Sequence, residues 1–147
     1  MKARISRVVY NRSLCDGPGV RTLVFFQGCD IHCKGCQNPS TWDPAKGTEV
    51  DVSELADELE HNSINKKVTI TGGEPLLQKE AVAELAETLD GRGFDVALYT
   101  GHSRSDVPDS VMRHIKYLKS GPFVESLKST VIPFMGSQNQ KFERIKK

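Results

Sequence analysis

Residues 20–27 read VRTLVFFQ and run directly into GCDIHCKGC at 28–36. The first stretch is β-branched and aromatic, the pattern of a strand buried on both faces in a parallel sheet. Phe25 and Phe26 are adjacent and therefore point to opposite faces. Two-sided burial makes both of them core residues. The second stretch crowds Cys29, Cys33 and Cys36, three of the chain's four cysteines, into one short loop. A loop that leaves the carboxyl end of a strand lies where α/β sheets bind their ligands.

Outward from this point, strand and helix patterns alternate. KVTIT at 67–71, DVALYT at 95–100 and IKYLK at 115–119 read as further strands. Asp51, with Glu54 three residues on, is an N-cap and capping-box signal. Val52, Leu55, Ala56 and Leu59 then recur at helical spacing. Val82, Leu85, Ala86 and Leu89 mark a second helix, with Gly91 as its expected C-terminal cap. A short helix is expected over 107–114, with Pro108 near its first turn. The tail from Ser137 is polar, and its basic end at 141–147 reads as solvated. Strands separated by helices predict right-handed βα units on a largely parallel sheet. The 147 residues form one domain's worth, fewer than the roughly 200–250 of a complete eightfold barrel. The expected fold is α/β: an open, partial (β/α) barrel of five or six mostly parallel strands in a single domain, 1–147.

Charge narrows the function classes. Twenty basic and 19 acidic residues leave a net charge of +1, which offers no electrostatic case for nucleic acid or anionic membrane. No apolar run approaches the ~20 residues of a membrane span. The basic N-terminus is not followed by an apolar signal core, so a cytoplasmic setting is expected. In a reducing compartment, clustered cysteines bind metal rather than pair as disulfides.

Cys29, Cys33 and Cys36 have C-x3-C-x2-C spacing, and thiolates are soft ligands for zinc, copper(I) or iron–sulfur clusters. A closed zinc site needs four ligands. His32 adjoins Cys33 and turns onto the same ion with difficulty. Cys15 precedes the strand that leads into the loop and reads as a non-ligand, a small buried hydrophobe or a surface thiol. Three thiolates suit a cubane cluster with one iron open to substrate, since a closed four-iron cluster commonly has four. A zinc module using Cys15 or His32, or a non-catalytic iron–sulfur module, is the alternative. Gly72 and Gly73 directly follow KVTIT, where glycines permit close backbone approach and positive φ. Glu74 could accept from a substrate ammonium, although an ordinary strand-to-helix turn has the same composition. Tyr99 and Thr100 stand at a strand end, with core packing an equal reading for Tyr99. Trp42 is a loop anchor or a ligand contact.

These pieces together resemble the radical S-adenosylmethionine enzymes, and within them the glycyl-radical activating enzymes, in particular the subgroup acting on anaerobic (class III) ribonucleotide reductase. The resemblance is carried by DGPGVR at 16–21, GCDIHCKGCQNPSTWD at 28–43, TGGEPL at 71–76, YTG at 99–101, YLKSGPFVESL at 117–127 and GSQNQ at 136–140. It spans nearly the whole chain. Gly35, where many such enzymes carry an aromatic residue, fits the reductase subgroup rather than the pyruvate formate-lyase type. No extra ferredoxin-like insert is present, and the region after Thr100 is short for the subgroup.

The resemblance implies that Cys29, Cys33 and Cys36 ligate a 4Fe-4S cluster whose fourth iron chelates S-adenosylmethionine. It implies that Gly72, Gly73 and Glu74 bind the methionyl end. Gly35, Cys36 and Gln37 would contact the adenine region, and Thr100 would line the pocket. The implied activity is reductive cleavage to a 5'-deoxyadenosyl radical that installs a glycyl radical on the reductase's large subunit. A flavodoxin or ferredoxin would donate the electron, and Asp16, Gly17 and Arg21 would help receive the partner's glycyl loop, although a simple turn before a strand explains Gly17-Pro18-Gly19 equally well. A pyruvate formate-lyase activator or a 7-carboxy-7-deazaguanine synthase would share the cluster and differ downstream. Asn38 would shape the cysteine loop, and Asn139 and Gln140 serve only as markers of the resemblance.

Overall fold

The computed structural model of the protein describes residues 1–13, 19–28, 46–121 and 140–145. The VRTLVFFQ stretch forms β2 (Arg21–Phe26), buried throughout. Its neighbours in chain order are β1 (Lys2–Ser13), β3 (Thr48–Asp51), β4 (Lys67–Gly72), β5 (Asp95–Tyr99), β6 (Tyr117–Ser120) and β7 (Lys141–Arg144). Among the described residues these make one seven-stranded sheet in the order β3-β1-β2-β4-β5-β6-β7. The middle four, β2, β4, β5 and β6, are parallel. β1 and β3 extend one edge and β7 the other, all antiparallel.

The parallel centre matches the expectation, whereas the three antiparallel additions exceed the expected strand number. β1 lacks a clean alternation because register shifts fall between Ile5 and Arg7 and between Val9 and Ser13. Asn11 there adopts φ 53°. The expectation of a solvated 141–147 end is corrected at its start. Phe142 of β7 stacks on Tyr117 with centroids 5.7 Å apart and meets Tyr99 edge-on at 6.4 Å.

The helices are α1 (Val52–Asn62), α2 (Lys79–Gly91) and the single-turn α3 (Asp109–Met112). Asp51 caps α1, accepting from the N–H groups of Ser53 and Glu54. The cap expected at Gly91 is displaced. Gly91 is still helical, and Gly93, at φ 84°, takes the left-handed position. Gly93 N donates to Asp90 O and Phe94 N to Leu89 O, both at 3.0 Å, the two bonds of a Schellman ending. Strand residues Val24, Phe26, Val68, Ile70, Val96, Leu98 and Leu118 form one core with the apolar stripes of the helices. Each fully buried aliphatic side chain there contributes roughly 1.5–3 kcal/mol.

The opposite face carries Leu23 and Phe25, both buried, with the Arg7 guanidinium 4.3 Å above the Phe25 ring. Phe25 and Phe26 thus lie on opposite faces, as adjacent strand residues must. Arg21 is fully buried at the amino end of β2 and pairs with Asp95 at 2.9 Å. It also donates to Thr69 Oγ1 and to the carbonyls of Val68 and Asp95. Both Arg21 and Asp95 open their strands, so the pair closes the amino ends of the sheet. Arg21 thus lies at the end of β2 opposite Gly28.

Candidate functional site

Gly28, at φ 104°, ends the described chain after β2 and directly precedes Cys29. Gly72 ends β4 and lies opposite Phe26. A Cβ on Gly72 would sit 2.6 Å from Phe26 O and 3.1 Å from Phe26 N, so only glycine lets the two strand ends come this close. The chain then turns through Gly73 and Glu74 into a 3-10 turn, Pro75–Gln78. Glu74 N donates to Gly28 O at 2.6 Å. The Gly-Gly-Glu-Pro turn is thereby bonded to the residue from which the cysteine segment departs.

The Glu74 side chain is almost wholly buried, at 1% exposure. Its Oε2 accepts from Leu76 N at 3.0 Å and Thr100 Oγ1 at 2.7 Å, and its Oε1 accepts from Gly101 N at 2.7 Å. Burial pushes this carboxyl above its ordinary range. The donors from Thr100, Leu76 and Gly101, and the nearby His102, pull in the other direction. Sequence reasoning aimed Glu74 at a ligand ammonium. In the structure its oxygens tie the β4 turn to the end of β5 through Thr100 and Gly101.

The bonding continues across the carboxyl ends. Thr100 N donates to Lys119 O at 2.9 Å, and Thr100 Oγ1 accepts from His102 N at 3.1 Å. Gly121 N donates to His102 O at 2.9 Å, and Gln140 Nε2 donates to Gly121 O at 3.1 Å. Hydrogen bonds therefore link β2, β4, β5, β6 and the start of β7 at one end of the sheet. Gln140, a marker of resemblance in the sequence, holds the last link. Tyr99 is buried, with Lys119 Nζ 4.1 Å from its ring centroid.

Gly72, Gly73, Glu74 and Thr100 are thus brought together. Cys29, Cys33, Gly35, Cys36 and Gln37 lie outside the described residues, as do Cys15, Asp16, Gly17, His32, Asn38, Trp42 and Asn139. Sequence reasoning missed Gln78 and Arg4, which bond to one another and to Gln27 beside the cysteine segment. A polar residue at a helix start carries no local signal of such a role, and Arg4 belongs to the strand that patterning did not reveal.

The family described as the 4Fe-4S single cluster domain matches residues 15–143. The chain belongs to that family. Its relatives include the anaerobic ribonucleoside-triphosphate reductase-activating protein of Enterobacteria phage T4, 30% identical over 141 residues, covering 90% of this chain and 89% of that one. The protein of the same name from Vibrio cholerae is 28% identical over 147 residues, covering 92% and 95%. The pyruvate formate-lyase-activating enzyme of Clostridium pasteurianum is 34% identical over 111 residues, covering 72% of this chain and 47% of that one. The chain thus spans about half of that formate-lyase activator and nearly all of the two reductase activators. Cys29, Cys33 and Cys36 fall within the matched range, and thiolates are soft ligands of the kind iron–sulfur clusters take. Among the described residues no helix is long and apolar enough to cross a membrane.

Proposed function

We propose that this protein is a radical S-adenosylmethionine activase, built as one domain over 1–147, that installs a glycyl radical on the large subunit of anaerobic ribonucleotide reductase. The observation that carries the reading is the bond from Glu74 N to Gly28 O. It joins the Gly-Gly-Glu-Pro turn to the mouth of the cysteine segment at the carboxyl ends of parallel strands. Cys29, Cys33 and Cys36 would hold a 4Fe-4S cluster, and the chemistry it supplies when bound is one-electron reductive cleavage of S-adenosylmethionine.

The chain's own residues bind and orient. Glu74 fixes the turn, so that Gly72 and Gly73 meet the methionyl end through backbone. Thr100, locked to Glu74, lines the pocket. Gly35, Cys36 and Gln37 receive the adenine region. The parallel strands run β2-β4-β5-β6 without reversal, and their helices share one core with one face. This order supports an open, partial (β/α) barrel rather than a doubly wound sheet, and the missing wall of such a barrel would leave an entrance for a protein loop. The setting is cytoplasmic and anaerobic, with a flavodoxin or ferredoxin as electron donor.

The reductase is favoured as partner because the two reductase activators match this chain over nearly their whole length. A formate-lyase target is the second reading, favoured by the 34% identity to the Clostridium enzyme. The test is anaerobic reconstitution with iron and sulfide, reduction, addition of S-adenosylmethionine and quantification of 5'-deoxyadenosine, with Cys33→Ala alongside. Product from the native protein alone is expected, followed by a glycyl radical signal on the reductase subunit and none on formate-lyase. A reduced four-iron protein that forms no product would overturn the reading.

A further inference from the structure

The cysteine segment is bounded by Gly28 on one side and Lys46 on the other, and one residue of β1 reaches both boundaries. Arg4 O accepts from Gln27 N at 3.0 Å. Arg4 Nη1 donates to Gly47 O at 3.2 Å and Lys46 O at 3.5 Å. Gln78 completes the clasp. Its Oε1 accepts from Arg4 N at 2.8 Å, while its Nε2 donates to Arg4 O at 3.0 Å and Gln27 O at 3.1 Å. The side-chain amide thus exchanges two bonds with one backbone residue, as a neighbouring strand does, and adds a third to the end of β2. Gly47, at φ 88°, packs so closely here that a Cβ would lie 2.8 Å from Ile5 O and 3.0 Å from the Gln27 side chain.

Gln78 belongs to the same 3-10 turn that Glu74 caps. The Gly-Gly-Glu-Pro turn therefore holds β2 twice, through Glu74 N on Gly28 and through Gln78 on Gln27. A shift of the turn drags the departure point of the cysteine segment with it, and Arg4 passes that restraint to the returning end. We propose that Gln78 and Arg4 are positioning residues that keep both ends of the cysteine segment in register with the Gly-Gly-Glu-Pro turn, and so set how cluster and S-adenosylmethionine meet. This rests on the function proposed above. As positioning residues they act on alignment and cluster retention rather than on the chemistry itself.

Two variants test it. Gln78→Met keeps the size of the side chain and removes the amide. Arg4→Lys keeps the charge and replaces the fork with a single-point donor. Each protein is reconstituted, reduced and titrated with S-adenosylmethionine while the paramagnetic resonance spectrum of the cluster is followed. Iron loss to a chelator is timed separately, and thermal unfolding reports the fold. Groups that orient metal ligands from outside typically change affinity by roughly 10–100-fold. The expected result is a midpoint for the S-adenosylmethionine-induced spectral change raised about tenfold or more, with faster iron loss, in variants whose melting stays near native. Native midpoints and native iron-loss rates in folded variants would overturn the proposal. Should Gln78→Met fail to fold, Arg4→Lys, altered only at a partly exposed guanidinium, decides alone. If the native cluster itself shows no spectral response to S-adenosylmethionine, the underlying function falls and the proposal falls with it. A native response with unaltered variants sinks the clasp alone.

Discussion

The hydroxyl of Thr100 donates to Oε2 of Glu74 at 2.7 Å, across 26 residues of sequence. With Gly101 N on Oε1 and Leu76 N on Oε2, a buried carboxylate ties the β4 turn to the end of β5. In a site of low polarity such a satisfied group rigidifies its surroundings, and any unsatisfied member is costly. The turn therefore has one geometry, and the backbone that would meet a ligand is set before the ligand arrives.

Glu74→Gln should destabilise the protein by about 1–3 kcal/mol, because the amide offers one acceptor and turns a donor toward another donor. Urea unfolding at neutral pH measures it, and an unchanged midpoint would show that the carboxylate's bonds are dispensable.

The same variant carries a pH signature. Burial raises the Glu74 carboxyl above its ordinary 4.5, so the native state binds this proton more tightly than the unfolded chain does. Its contribution to stability is greatest at low pH and is lost as pH rises through the raised native value. Stability of the native protein relative to Glu74→Gln should therefore fall between pH 4.5 and that value. Parallel stability curves for the two proteins would contradict the assignment.

Gly72→Ala places a methyl 2.6 Å from Phe26 O, against backbone that has no rotamer with which to retreat. We expect a loss of about 1–3 kcal/mol. Iron and sulfide content after reconstitution should fall as well, because the strand end that leads into the cysteine segment must move. Full stability with full loading would show that the strands can separate freely.

Asp95→Ala removes the carboxylate that faces the fully buried Arg21 guanidinium. Removing one member of a buried pair costs about 3–5 kcal/mol. Arg92, whose partners Asp57 and Glu60 are solvent-exposed, should be replaceable by Ala with almost no change. Chemical denaturation of both variants compares the two pairs directly. Equal small effects would mean that Arg21 is satisfied by Thr69 and the carbonyls alone.

Phe142→Ala removes a half-buried ring from Tyr117 and Tyr99. The cost should be near 2 kcal/mol, below the 3–5 of a fully buried aromatic. Thermal melting checks it, and no shift would return the 141–147 end to the solvated role that its composition suggests.

Legibility followed pattern length. β2, β4, β5 and the two long helices were readable because each carries its own period or unbroken apolar run, and Asp51 because an N-cap acts within three residues. Gly72, Gly73, Glu74 and Thr100 were recognisable as a candidate set, but the bonds from Thr100 and Gly101 to Glu74 were not. A carboxylate that faces Thr100 across 26 residues looks, in one dimension, the same as one that faces a ligand. β1 was hidden because bulges break its period, and β3 and β7 because each four-residue strand holds a single apolar residue. Gln78 and Arg4 lie 74 residues apart and acquire meaning only when β1 is laid beside β2.

The sequence by itself determined the alternation of strand and helix, the close spacing of Cys29, Cys33 and Cys36, and the glycines where backbones must approach, because each is a local property of the residues concerned. Only the tertiary structure decided the antiparallel flanks of the sheet, the burial of Arg21 against Asp95 at its amino ends, and the clasp of Gln78 and Arg4. Those depend on which distant backbone carbonyls and donors are left over once the strands have paired, and that remainder is a property of the packed sheet rather than of any segment in it.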